Sequence, residues 1–196
     1  MALILMRGAK VVKNAEIMVS YLIVGATQTG KTTFAKKNIL QKYPNVLVYD
    51  VQNQYSELPY WKREKKGRFR VSPVHMEFEK FVLLGQALEN FLFVYEEATQ
   101  FLEGQISKPM KANLVGKAHT GNRFVFFFHA FSQIPPRIID FCDYLIQFRT
   151  GLSDKEGVHK KMRIQEIKDN YIELESLPRF SRKILRVSNL ALDNIY

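Results

Sequence analysis

At 196 residues, with 46% hydrophobic and 24% charged side chains, the chain has the length and composition of one water-soluble globular domain, not of a fibrous or disordered protein. No apolar run is long enough to span a membrane, and residues 1–6 are too short for a signal peptide and are followed at once by Arg7. The net charge is +10; Cys142 stands alone, which excludes intrachain disulfides and suits a reducing cytoplasm, and the four histidines (His75, His119, His129, His159) lack metal-ligand spacing.

The first predicted element is a buried strand over 17–24, β-branched and apolar. Directly after it comes Gly25-Ala26-Thr27-Gln28-Thr29-Gly30-Lys31-Thr32, which fits the phosphate-binding pattern G-x-x-x-x-G-K-[ST]. A helix over 33–40 is predicted next, with Phe34, Ile39 and Leu40 along one side. Strand, glycine loop and helix are the context this motif needs. Gly25 and Gly30 let the backbone turn so that successive amide N–H groups converge, and the helix N-terminus adds positive potential. Lys31 is expected on the β- and γ-phosphates and Thr32 on Mg²⁺, with Thr33 completing the nucleotide-binding set. ATP and Mg²⁺ are the expected cofactors. An ordinary glycine-containing turn would not require all three flanking features.

A second buried strand over 45–50 ends in Asp50. Residues 52–70 are polar, aromatic-spiked and irregular, containing Pro59 and a basic run over 62–70 that carries six basic residues and one acid. That run (Lys62, Arg63, Lys65, Lys66, Arg68, Arg70) holds half the net charge of the chain. It suits either a solvated loop or contact with a polyanion such as DNA. A short strand is predicted at 69–71, a helix over 77–89 on the spacing of Phe78, Phe81, Val82, Leu84 and Leu88, and a third buried strand over 91–95.

Glu96 and Glu97 follow that third strand directly. In a parallel sheet, ligands bind beyond the carboxyl ends of the strands, so both acids are expected to face the phosphate loop. Glu96 is assigned to the magnesium-bound water shell and Glu97 to polarising the attacking water, a pairing that suggests hydrolysis rather than transfer to an acceptor. Two exposed acids opening a helix would be the plainer reading of the pair.

Further on, a helix is predicted over 108–118 with Pro109 in its first turn, a strand over 123–130, a short helix over 137–141 and a strand over 143–148. Ser132 and Gln133 lie just beyond strand 123–130, which would bring the Gln133 amide to the γ-phosphate or leave it capping the turn before Pro135. Phe126, Phe127 and Phe128 are read as core; Trp61, beside the basic run, is a candidate for base stacking or for anchoring a neighbouring subunit. The tail alternates over 171–175 and 183–187, predicting a small antiparallel pair. The fold class is therefore α/β: a mainly parallel sheet covered by helices on both faces, with an antiparallel C-terminal addition. One domain over 1–196 is expected, with its core at about 17–150 and an extension at 151–196.

Taken together, the loop Gly25–Thr32, Asp50 followed by Gln54 and Tyr55, the run 91–98, and Ala130-Phe131-Ser132-Gln133-Ile134-Pro135 resemble the FtsK–HerA superfamily of DNA-pumping ATPases. The compact size and the Glu-Glu pair resemble its viral genome-packaging branch, and within it the packaging ATPases of archaeal turreted icosahedral viruses. The resemblance covers about residues 17–150. It implies a Mg²⁺-dependent motor on double-stranded DNA, a homo-oligomeric ring of five or six subunits, capsid or membrane-vertex partners, and a place in the host cytoplasm or on the virion. It also implies an arginine finger from a neighbouring subunit, for which Arg123 and then Arg149 are the candidates. Two other classes fit the loop and sheet: a small P-loop kinase, with 62–70 as its lid, and an ATP-switched partition or conjugation accessory.

Overall fold

Alternating buried side chains build a seven-stranded sheet among the residues that the computed structural model describes (19–102, 106–151, 154 and 165–187). Its strands are β1 (Tyr21–Val24), β2 (Val46–Tyr49), β3 (Arg68–Val71), β4 (Leu92–Tyr95), β5 (Arg123–Phe128), β6 (Tyr144–Phe148) and β7 (Arg182–Arg186). The spatial order is β3-β2-β4-β5-β1-β6-β7. All neighbours are parallel except β7, which pairs antiparallel with β6. The helices are α1 (Lys31–Asn38), α2 (Phe78–Ala87), α3 (Lys108–Thr120), α4 (Pro136–Phe141) and α5 (Gln165–Ser176).

The period of two along each strand divides the core into two layers. Leu22, Tyr49, Phe93, Tyr95, Phe124 and Phe126 face one side, where Phe81 of α2, Leu114 of α3, Ile138 of α4 and Ile167 of α5 meet them. Ile23, Val48, Val94, Val125 and Phe127 face the other and pack against Ala35 of α1 and Ile39 just beyond it. Phe126, Phe127 and Phe128 are thus core, as expected, each at most 2% exposed. The Tyr95 and Phe126 rings stack at 5.0 Å across adjacent strands, and such pairs contribute about 1 kcal/mol beyond the area they bury. Ser107 caps α3, accepting a hydrogen bond from Met110 N at 3.4 Å, with Pro109 in the first turn.

One sequence expectation is overturned in the tail. Residues 171–175 are helical, inside α5, with Ile167, Tyr171 and Leu174 buried at helical spacing and Ile172 outside, 59% exposed. Five alternating residues cannot distinguish a strand from a helix whose polar positions happen to fall at every second place. The antiparallel addition exists, but it is β7 against β6, with Leu145 opposite Leu185. Residues 17 and 18, at the start of the first predicted strand, lie outside the described residues.

Candidate nucleotide-binding site

At the carboxyl end of β1 the chain turns sharply into α1. A Cβ on Gly25 would lie 2.5 Å from the Phe148 Cβ, so only glycine fits against β6 there. Gly30 takes φ 94°, in the left-handed region that favours glycine. The loop is clamped between two strand ends: Gly25 N donates to Phe128 O at 3.1 Å and Ala26 N to Arg149 O at 2.8 Å. Lys31, 8% exposed, donates from Nζ to the Gly25 and Ala26 carbonyls at 2.6 and 2.9 Å. Burial lowers the Lys31 pKa, and Glu97 and Glu96 partly offset that.

Across the cavity, β4 delivers the two acids. Thr32 Oγ1 donates to Glu96 Oε1 at 2.9 Å, and the Tyr55 hydroxyl donates to Glu96 Oε2 at 3.1 Å. Burial pushes the Glu96 carboxyl up to about 7 in spite of both hydrogen bonds. A desolvated carboxylate facing a hydroxyl is a pair of hard oxygen donors, and a cation there would reverse the burial effect. These residues therefore fit Mg²⁺ carried in with phosphate oxygens.

Glu97 is held differently. Its backbone is left-handed, with φ 53°. Its Oε2 lies 2.5 Å from His129 Nε2, and its Oε1 accepts from Gln52 Nε2 at 3.0 Å. The His129 hydrogen bond is the main influence holding the Glu97 carboxyl below its usual range, against the opposing effect of burial. Gln52 is itself oriented by Gln54, which donates to Gln52 Oε1 at 2.7 Å.

Asp50 organises this side of the site. Fully buried at the end of β2, it accepts from Gln54 N at 2.8 Å and from Tyr55 N and Arg70 Nη1 at 3.1 Å each. The tight loop this creates carries Tyr55 to Glu96 and Gln52 to Glu97. Lys31, Thr32, Gln52, Glu96, Glu97 and His129 thus share one cavity of about 380 Å³, also lined by Thr27, Gln28, Gly30 and Thr33. Ala26 and Thr29 line a neighbouring hollow with Arg149 and Arg179.

The remaining candidates lie elsewhere. Gln133 is not in the cavity lining; its Oε1 sits 3.5 Å from Thr99 Oγ1, while the buried Asp154 carboxylate caps the turn through Phe131 N and Ser132 N. Arg123 begins β5 at the sheet edge opposite the phosphate loop, with Nη1 on the Lys117 and Asn122 carbonyls. Arg149 follows β6 on the loop's own edge, 3.5 Å from Glu175. Lys62, Arg63, Lys65 and Lys66 are exposed beside the edge strand β3, with Arg68 half-buried. Arg70 is a correction: it is buried against Asp50 and also bonded to Asn53, an internal ion pair and not a free contact. Trp61 is half-buried, packed against the core with its indole N–H on Glu64 O at 2.9 Å, and so is not a freely projecting ring.

Sequence reasoning missed His129 and Gln52 as partners of Glu97, and named Tyr55 only within a family pattern. The available signal for His129 was its place at the end of a predicted buried strand, where ligands of parallel sheets collect.

Fold and loop together define the architecture of a P-loop NTPase. The chain is similar to the genome packaging NTPase B204 of Sulfolobus turreted icosahedral virus 2: in complex with ATP-gammaS the TM-score is 0.70 at 14% identity, covering 87% of this chain and 93% of that one. The AMP complex of the same protein gives 0.71 at 15% identity with the same coverage. B204, the DNA-packaging ATPase of Sulfolobus turreted icosahedral virus, gives 0.69 at 14% identity, again over 87% and 93% of the two chains. No family model and no curated protein matches the sequence.

Proposed function

We propose that this protein is a Mg²⁺-dependent ATPase that drives double-stranded DNA, packaging a viral genome into a preformed capsid as part of a homo-oligomeric ring. The observation that carries the catalytic part is the meeting of Lys31 and Thr32 with Glu96 and Glu97 in one cavity. The nucleic-acid part is supported by the fold shared with packaging ATPases and by the exposed basic loop beside β3.

In this reading the Lys31 ammonium leaves the Gly25 and Ala26 carbonyls for the β- and γ-phosphate oxygens, where its charge is matched. Loop N–H groups from Thr27 to Thr33 receive the remaining phosphate oxygens. Thr32 and Glu96 would hold Mg²⁺, which supplies charge neutralisation on the phosphates. Glu97, kept ionised by His129, accepts a hydrogen bond from the attacking water and aims it at the γ-phosphorus. Arg123 or Arg149 of a neighbouring subunit supplies the finger, while Gln133, on Thr99 outside the cavity, has no direct phosphate contact in this reading. Host cytoplasm or the virion is the working place.

The test is steady-state phosphate release with Mg²⁺-ATP, with and without double-stranded DNA, alongside Glu97→Gln. Release that rises with DNA and falls at least about 100-fold in Glu97→Gln supports the motor. Release indifferent to DNA, or dependent on a small acceptor, overturns it.

A further inference from the structure

The triphosphate has a direction in this site. With its cleavable end at Glu97 and Lys31, the other end has a way out past Gly30 and Thr33, which line the cavity on the α1 side. Those two residues also line a second cavity of about 260 Å³, shared with Phe34, Lys37, Phe148 and Phe180. Gly30 keeps the passage open: the Phe180 Cδ1 lies only 3.4 Å from where a Cβ on Gly30 would be.

The C-terminal segment builds the outer wall of that second cavity. Phe180 is 65% exposed, and no other ring stacks on it among the described residues. Its position is not left to chance. The preceding Arg179 donates from Nη2 to Gln28 Oε1 at 2.8 Å, tying the segment to the phosphate loop. Two residues on, the Arg182 guanidinium lies 4.6 Å above the Phe34 ring, tying it to α1. An exposed ring fixed at both sides, beside the exit of a phosphate cradle, is a stacking platform for whatever the phosphates carry.

We propose that Arg179, Phe180 and Arg182 form the nucleobase side of the site, with a purine stacked on the Phe180 ring. This rests on the nucleotide reading above and extends it to a segment beyond the expected core, in the C-terminal extension. A base on Phe180 covers exposed apolar surface, and Lys37 and Arg182 offer cations to its π-face and ribose.

Binding of ATP and of inorganic tripolyphosphate to the full chain tests this by calorimetry in parent, Phe180→Ala and Phe180→Trp proteins. The parent should bind ATP more tightly than tripolyphosphate. Phe180→Ala should weaken ATP by about tenfold, the order expected for one lost base–aromatic stack, and leave tripolyphosphate unchanged. Phe180→Trp should restore ATP affinity, since the indole offers an equal face. Equal affinity of the parent for both ligands, or equal losses for both in Phe180→Ala, would overturn the base site while leaving the phosphate loop assignment intact. Failure of the parent to bind either ligand would remove both.

Discussion

His129 Nε2 lies 2.5 Å from Glu97 Oε2, joining the end of β5 to the end of β4 across the candidate active site. With Gln52 on the other oxygen at 3.0 Å, the carboxylate of Glu97 is held at both atoms. A base that must aim a water within a fraction of an ångström gains its accuracy from such partners. His129→Ala should therefore lower kcat, by up to about 100-fold for a misplaced base, with KM for ATP nearly unchanged. His129→Gln, whose amide can still donate, should recover part of the rate. A matched rise in KM would instead mean that His129 touches the nucleotide.

Glu96 makes the apo protein pH-sensitive in the opposite sense to an ordinary paired acid. Its folded carboxyl titrates at about 7 against an ordinary 4.5, so the folded state holds more protons than the unfolded state between these values. Stability then falls as pH rises through that window, by on the order of 3 kcal/mol when ionisation is complete. In EDTA and without nucleotide, Glu96→Gln should melt above the parent at pH 8, with the gap narrowing toward pH 5. A gap that does not vary with pH would assign the ionisation to another group.

Asp50 and Arg70 form a buried pair at 3.1 Å that also shapes the loop carrying Gln52 and Tyr55. Asp50→Ala leaves the Arg70 charge buried without its carboxylate, which typically destabilises by about 3–5 kcal/mol. Urea unfolding should show that loss, and ATP turnover should fall with it because Tyr55 and Gln52 lose their support. A variant as stable as the parent would mean that water reaches Arg70.

The exposed basic loop makes a separate prediction. Replacing Lys62, Arg63, Lys65 and Lys66 with Gln should flatten the plot of log affinity for double-stranded DNA against log salt, by about 0.9 for each phosphate contact removed. DNA-independent ATP turnover should stay at the parent level, because the loop precedes β3 at the sheet edge remote from Lys31. An unchanged slope would make the loop a solvated surface.

Much of the architecture was legible because buried strands advertise themselves. The runs at 45–50, 91–95, 123–130 and 143–148 all contain strands, and each side of the sheet receives the alternate residues that the pattern predicts. The glycine loop was equally plain as a pattern, although only Gly30 answers a local backbone demand, while Gly25 answers the close approach of Phe148. Residues 171–175 misled because five residues are too few to separate a period of two from a helix. Arg70 misled because a basic letter within a charged run carries no mark of burial; Asp50, distant in the chain, holds it inside.

What the sequence by itself determined is local: a strand, a phosphate-binding turn and a helix in succession, and two acids at the end of a buried strand. These depend on backbone preference and short-range periodicity. The tertiary structure alone decided the partners. Because β5 is inserted between β1 and β4, its last residues enter the gap between the loop and the acids, and His129 meets Glu97 across 32 residues of chain. Because β7 adds to β6, Arg179 and Phe180 come to rest beside the loop, with Arg179 meeting Gln28 from 151 residues away. Strand order follows from how the whole sheet buries its two faces, and no short stretch of sequence contains that information.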